Sequence, residues 1–261
     1  MELFGKNKKA DAVPSTSTGG SGKFGSDLDY ASAEAYNLLR TNLLFTIPAK
    51  EGGRIIGVTS SVPTEGKTFS TINMSYSLAE AGYKVILVDC DMRRSSVAKS
   101  LKKPVSPGLS NLLIDSDKAV IHKGVLHPNL SGVRAGDIPP NPSELLGTER
   151  MHDLLEYFSK EYDYVIVDLP PVTAVSDPLV VSKYLDGIVI VVRHNFTRKS
   201  ELMEAIRQLR FTGVHILGFI YNGCTTNSAG YSKKYYRRMQ YYGHYSNDTA
   251  TDAKAKVKVQ K

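Results

Sequence analysis

The sequence is poor in cysteine: Cys90 and Cys224 are the only two in 261 residues. Two isolated thiols cannot build a metal or iron–sulfur cage alone, and they do not make a disulfide framework, so the chain reads as reduced and cytosolic. Long apolar runs are also lacking. The longest, such as Gly187 to Val192, have the length of a strand and fall far short of the roughly 20 residues that span a bilayer. The opening stretch MELFGKNKKADAVPSTSTGGSG has lysines with no apolar run behind them, which argues against a secretory leader. Work at a membrane would then depend on a partner or on charge. No internal repeat is visible. Basic charge is missing from the middle of the chain: the net +7 divides into +6 from Tyr231 onward, +2 over residues 1–25 and −1 over residues 26–230. Without a basic face on the folded body, no nucleic-acid partner is expected.

What is present suits one α/β domain with tails. Hydrophobic residues make up 41% and charged residues 23%, enough to bury a sizeable core and too apolar for full-length disorder. Residues 1–26, rich in Ser, Thr, Gly and Lys, read as a disordered N-terminal segment. The folded domain is expected over 27–230 and a flexible basic tail over 231–261. Asp29 to Phe45 has Ala35, Leu38, Leu39 and Leu43 at helical spacing. Strands are then expected at Arg54–Thr59, Lys84–Asp89, Asn129–Arg134, Tyr164–Asp168, Gly187–Val192 and Val214–Asn222. Helices are expected at Lys67–Ala81, Pro142–Lys160 and Lys199–Phe211. Strands apolar throughout and separated by helices imply a mostly parallel sheet covered on both faces, a three-layer architecture that binds ligands at the carboxyl ends of its strands.

Three of those strand ends carry unusual chemistry. After the first come Ser61, Val62, Pro63, Thr64, Glu65, Gly66, Lys67 and Thr68, with Gly-Lys-Thr opening a helix. This is the strand–loop–helix context of a phosphate-binding P-loop, whose backbone N–H groups and helix N-terminus cradle phosphate. Lys67 would reach the β- and γ-phosphates of ATP and the Thr68 hydroxyl would ligate Mg²⁺. Ser61 stands where a glycine is usual. The second strand ends in Asp89, Cys90, Asp91, Met92, Arg93. Carboxylates two apart point the same way off a pleat and would be costly there without a cation. Asp91 could hold Mg²⁺ through water, Asp89 could accept a hydroxyl proton, and Arg93 could meet a phosphate or a carboxylate. The third strand ends in Asp168, placed to hold a metal-bound water in the Walker B manner. Asp177 reads equally as a polar neighbour or as a helix cap beside Pro178.

In this order, the Walker A loop Ser61–Thr68, an extra Asp-x-Asp-x-Arg motif ending Val85–Arg93, and the Walker B stretch Val165–Pro171 resemble those of the bacterial tyrosine kinases that regulate capsule and exopolysaccharide synthesis. Further points of resemblance are Pro139-Pro140-Asn141-Pro142-Ser143-Glu144-Leu145-Leu146, the helix Glu34 to Asn42 within an N-terminal interaction helix over 29–46, and a C-terminal tyrosine cluster. The form resembled is the separate cytoplasmic one of Gram-positive bacteria. The resemblance implies a P-loop NTPase fold, with ATP on Ser61, Thr64, Glu65, Gly66, Lys67, Thr68 and Arg93, and Mg²⁺ organised by Thr68, Asp91 and Asp168. Asp89 would be the base toward a tyrosine hydroxyl, so that Lys67, Asp89, Asp91 and Asp168 form the catalytic set. It further implies autophosphorylation between subunits on Tyr231, Tyr235, Tyr236, Tyr241, Tyr242 and Tyr245. A transmembrane activator of the polysaccharide co-polymerase type would recruit the chain to the inner face of the membrane, and a cognate tyrosine phosphatase and protein substrates would complete the circuit. Assembly into a ring would use Glu34 and Arg40, although Asn37 replaces the middle arginine of the family's Glu-x-x-Arg-x-x-Arg helix. A bland reading keeps that helix packed on its own domain.

Six of the 15 tyrosines lie within 15 residues of a tail carrying +6, so three or four phosphates of about −1.5 to −2 each would neutralise it. An aromatic–basic tail could instead bind RNA or anionic lipid. Partition and positioning ATPases share the expected fold, but they place a second lysine five residues before the invariant one, where this chain has Val62. An ATP-gated scaffold without kinase activity remains an alternative. The eukaryotic kinase motifs His-Arg-Asp and Asp-Phe-Gly are absent. Lys67→Met is expected to remove phosphate contacts and leave the fold intact.

Overall fold

A computed structural model describes residues 23–47, 50–115 and 121–224. Its centre is a seven-stranded sheet in the order β3-β4-β2-β5-β1-β6-β7. The strands are β1 (Arg54–Ser60), β2 (Val85–Asp89), β3 (Ile121–His122), β4 (Leu130–Val133), β5 (Tyr164–Asp168), β6 (Gly187–Arg193) and β7 (Ile216–Asn222). All pairings are parallel except that of the two-residue β3 with β4. The helices are α1 (Tyr30–Thr46), α2 (Lys67–Glu80), α3 (Val97–Ser100), α4 (Leu109–Ile114), α5 (Pro142–Leu146), α6 (Glu149–Glu161), α7 (Asp177–Val181) and α8 (Lys199–Phe211).

The apolar strands divide their side chains between two cores, as the period of two requires. Ile55, Ile86, Val88, Val165 and Val167 pack with Phe158 and Leu155 of α6 and with Ala205 and Leu209 of α8. Ile56, Val58, Leu87 and Ile166 pack with Ile72, Met74 and Leu78 of α2 and Leu43 of α1 on the other face. Burial on both faces explains why the strands read as unbroken Val/Ile/Leu runs. Gly53 sets the entry to β1: its N–H donates to the Ser159 carbonyl at 2.7 Å, and a Cβ there would lie 1.9 Å from the Tyr162 carbonyl oxygen.

Two expectations are corrected. The helix expected over Pro142–Lys160 is two, α5 and α6. Thr148 between them is extended (φ −72°, ψ 157°), and the Tyr184 hydroxyl lies 3.1 and 3.3 Å from the carbonyl oxygens of Gly147 and Thr148. Those contacts from a distant segment outweigh the continuous helical spacing. Order also begins before residue 27. Phe24 is buried beside Phe69 with ring centroids 5.4 Å apart, Gly25–Asp27 form a 3-10 turn, and the Gly25 N–H donates to Asn73 Oδ1 at 2.9 Å. One buried aromatic ring anchors residues 24–27, the first of which fall in the stretch expected to be disordered. The six tail tyrosines lie outside the described residues, as do residues 1–22. Among the described residues, no helix is long and apolar enough to cross a membrane.

The helix expected to mediate assembly is engaged within its own chain. Arg40 Nη1 donates to the Ser77 carbonyl at 2.6 Å and Oγ at 3.0 Å. Asn37 Nδ2 donates to Glu34 Oε1 at 3.0 Å, and Asn37 Oδ1 accepts from Ser77 Oγ at 3.1 Å. Asn37 thus ties Glu34 to α2.

Candidate functional site

The loop from Ser61 to Gly66 joins β1 to α2 at the carboxyl end of the sheet. Gly66 adopts φ 87°, open to glycine but costly for other residues, and a Cβ there would lie 1.9 Å from Asn222 Nδ2. The loop is shaped from outside by the ends of β6 and β7. Asn222 Nδ2 donates to the Glu65 carbonyl at 2.9 Å and Arg193 Nη1 to the Thr64 carbonyl at 2.9 Å. The Glu65 carboxylate is buried; it accepts the Val62 N–H at 3.0 Å and the Thr197 hydroxyl. Glu65 therefore fastens the loop through its side chain. Ser61 is buried as well; its carbonyl accepts the Thr173 hydroxyl at 2.6 Å, while its own hydroxyl has no partner among the described residues.

Three carboxylates gather around one ammonium beside this loop. Lys67 Nζ lies 2.8 Å from Asp168 Oδ1, 3.9 Å from Asp91 Oδ2 and 3.3 Å from Thr68 Oγ1. The Thr68 hydroxyl donates to Asp168 Oδ2 at 2.8 Å and Thr71 Oγ1 to Asp168 Oδ1 at 2.9 Å. Asp89 sits in register with Asp168 on the adjacent strand; it accepts the Asp91 N–H at 3.1 Å and the Ser95 hydroxyl at 2.8 Å. Asp89 and Asp168 are fully buried, and Asp91 is nearly so. Burial, then the charge of Asp168, pushes the Asp89 carboxyl up to about 7, against the pull of Lys67 and the Ser95 hydrogen bond. Burial likewise raises Asp91, opposed by Lys67. A buried cluster with more carboxylates than cations calls for further positive charge.

The donors present suit Mg²⁺. Thr68, Asp91 and Asp168 are hard oxygen ligands, and Mg²⁺ typically takes one or two carboxylates together with water and substrate phosphates. Among the described residues no cluster of three or more His, Cys, Asp or Glu forms a self-sufficient metal cage. A cleft of about 360 Å³ opens above Lys67 and Thr68, lined also by Gly66, Asp91, Arg93 and Arg94.

Arg93 takes the carboxylate option. Its Nε and Nη2 donate to the two oxygens of fully buried Asp177 at 3.0 and 3.2 Å, and Nη2 also donates to Ser143 Oγ at 3.1 Å. Ser143 in turn donates to Asp177. Asp177 therefore joins the Asp-x-Asp-x-Arg strand end to the Pro-Pro-Asn-Pro-Ser segment; it is the first residue of α7 and not its cap, which is Ser176. Thr71, Ser95, Arg193, Thr197 and Asn222 were not singled out from the sequence. Thr71 was legible in principle, four residues after Lys67 on the same helix face, and Asn222 ends a strand at the binding edge; the partners of the other three depend on tertiary approach.

Residues 53–212 match the AAA domain family. The kinase domain of Escherichia coli tyrosine kinase ETK superposes with a TM-score of 0.71 at 34% identity, covering 76% of this chain and 77% of that one. The tyrosine-protein kinase CpsD of Streptococcus pneumoniae serotype 4 is 35% identical over 195 residues, which cover 72% of this chain and 83% of CpsD. The chain belongs to the bacterial tyrosine kinase family. The described residues carry this family's P-loop domain, and the Lys67–Asp168–Asp91 cluster lies within the matched residues. The tyrosine-protein kinase Etk of Escherichia coli K12 is also 35% identical over 196 residues, but this chain spans only 27% of its length. Against other curated relatives from Ralstonia and Acinetobacter the share is likewise under a third. The septum site-determining protein MinD of Pyrococcus horikoshii, solved with Mg-ADP, shares the fold at a TM-score of 0.55 and 22% identity.

Proposed function

We propose that this chain is an ATP- and Mg²⁺-dependent protein-tyrosine kinase that phosphorylates its own C-terminal tyrosines and serves capsular or extracellular polysaccharide synthesis and export. The observation that carries the reading is the meeting of Lys67, Thr68, Asp91 and Asp168 in one buried polar cluster beside a phosphate-type loop. Thr68, Asp91 and Asp168 would hold Mg²⁺, which supplies charge neutralisation for phosphoryl transfer when bound. Lys67 exchanges Asp168 for the β- and γ-phosphates. Ser61, Thr64, Glu65 and Gly66 shape the phosphate cradle, and Arg93, held by Asp177, flanks it. Asp89 takes the proton of the incoming tyrosine hydroxyl, and a carboxyl raised to about 7 is well matched to that task near neutral pH. The acceptors are Tyr231, Tyr235, Tyr236, Tyr241, Tyr242 and Tyr245.

The relatives' naming as tyrosine kinases supports the activity. A transmembrane adaptor of the co-polymerase type, subunit rings involving Glu34 and Arg40, and a cognate phosphatase belong to the same reading, as does recruitment from the cytoplasm to the inner membrane face. The domain reading, a kinase domain to residue 230 followed by an acceptor tail, goes with it.

Phosphosite mapping by mass spectrometry tests the proposal on the full chain co-expressed with an adaptor's cytoplasmic segment, beside Lys67→Met and Thr68→Ala. Phosphate on the tail tyrosines in the wild type alone is expected. ATP binding without phosphotyrosine, in the presence of an active adaptor segment, would replace the kinase with an ATP-gated scaffold.

A further inference from the structure

A second cavity lies away from the cleft at Lys67. It has a volume of about 570 Å³ and lies between α3 with the segment after it and the β3–β4 hairpin. Its walls are apolar: Leu87, Val97, Ala98, Leu101, Val125 and Leu126. Its polar side chains are all basic types: Lys103, His122, Lys123 and Arg134. None of the described lining residues is acidic. The Arg134 guanidinium is oriented by neutral partners, donating to the Pro104 carbonyl and, through Nε, to His122 Nε2 at 2.9 Å. Burial and the adjacent Arg134 lower the His122 pKa, so at neutral pH the ring serves as an acceptor and the lysines and arginine carry the charge.

An apolar chamber of this size, rimmed by cations without acids among its lining residues, has the form of a small-molecule site in which a few polar groups fix the ligand's orientation. We propose that the cavity binds an amphipathic anion: an apolar chain or ring system seated on Leu87, Leu101 and Val125, with one carboxylate or phosphoryl group held by Lys103, Lys123 and Arg134. Both head groups offer the same oxygen-anion chemistry to the rim. The site is distinct from the phosphate-loop cleft but close to it in sequence. Val97 and Ala98 on its wall directly follow Ser95, which bonds Asp89, and Ser96, which lines the cleft.

Calorimetric titration of the full chain with decanoate, decyl phosphate, decanol and inorganic phosphate, each below its aggregation threshold, tests the inference. One decyl anion should bind per chain, and decanol and inorganic phosphate should each bind at least about tenfold more weakly, because each lacks half of the complementarity. Tighter binding of decanoate assigns a carboxylate head, and tighter binding of decyl phosphate a phosphoryl head. Two variants locate the site. A Cβ at Gly132 would sit 3.4 Å from Val125 Cγ2, an ordinary contact, so Gly132→Val fills the chamber. Lys103→Glu with Lys123→Glu reverses the rim on exposed side chains and leaves the core untouched. Each should weaken the decyl anion at least about tenfold with little change in the urea midpoint. Absence of binding by both anions, decanol binding as tightly as they do, or unchanged affinity in the rim variant would overturn the assignment.

Discussion

Asp89→Asn is the substitution whose effect changes sign with pH. The Asp89 carboxyl titrates at about 7 in the folded chain against 3.8 for an ordinary aspartate, chiefly because it is fully buried and faces Asp168. Between those values the folded state holds a proton that the unfolded state has released. Stability is therefore fully present below about pH 4 and falls as pH rises toward 7. At 1.36 kcal/mol per pH decade, the distance from 3.8 to about 7 is worth at most about 4 kcal/mol. Asparagine cannot ionise, so the variant escapes this loss. It gives up part of the acceptor capacity that meets the Ser95 hydroxyl and the Asp91 N–H, a cost of about 1–2 kcal/mol. Asp89→Asn should thus be about 0–1 kcal/mol less stable than the wild type near pH 4.5, where about 1 kcal/mol of the wild-type advantage is already lost, and about 2–3 kcal/mol more stable at pH 8. Urea unfolding followed by circular dichroism in metal-free buffer, at half-unit steps from pH 4.5 to 8.5, reads both curves. Parallel curves over that range would refute the reasoning, since they would mean that Asp89 ionises in the fold as easily as in the unfolded chain.

Lys67→Met should cost about 3–5 kcal/mol at pH 8 without Mg²⁺, because it leaves Asp168 and Asp91 buried without their cation; urea unfolding of both proteins at that pH measures it. The fold itself should stay intact, as expected from the sequence, at this lower stability. Gly66→Ala places a methyl 1.9 Å from Asn222 Nδ2 at φ 87°, so nucleotide affinity should fall at least about tenfold for a stability loss of only about 1–2 kcal/mol, read by calorimetry and urea unfolding. Phe158→Ala empties a fully buried position on the α6 face and should cost about 3–5 kcal/mol in the same unfolding assay while sparing nucleotide binding by the folded fraction.

Hydrophobic pattern sufficed for the central strands because a doubly covered parallel sheet needs apolar side chains on both faces; β1, β2, β5 and β6 lie within a residue or so of where the pattern puts them. The Lys199–Phe211 helix agrees at both ends. Where non-local contacts decide, the pattern misleads. Tyr184 accompanies the break between α5 and α6, and Phe24 orders a polar segment by finding Phe69. The site divides in the same way. Lys67, Thr68, Asp89, Asp91 and Asp168 were legible because motif spacing fixes them on strand ends and a helix start. The partner of Arg93 was not, because choosing between phosphate and carboxylate requires knowing that Asp177, 84 residues on, comes within 3.0 Å. Asn222 and Arg193 escaped notice because their contribution is to hold the loop's backbone, which leaves no motif.

Two of the donors that brace the loop, Arg193 and Asn222, also impose an order on biosynthesis. Thr64 waits for Arg193, 129 residues later, and Glu65 waits for Asn222, 157 residues later. The central strand β1 depends on β5 and β6, both more than 100 residues downstream, so its neighbours arrive late as well. At 5–20 residues per second, about 8–30 s separate synthesis of the phosphate loop from synthesis of its last brace. A nascent chain therefore carries its lysine and glycine long before it has the strands that set them, and the loop is completed only when β7 has been made.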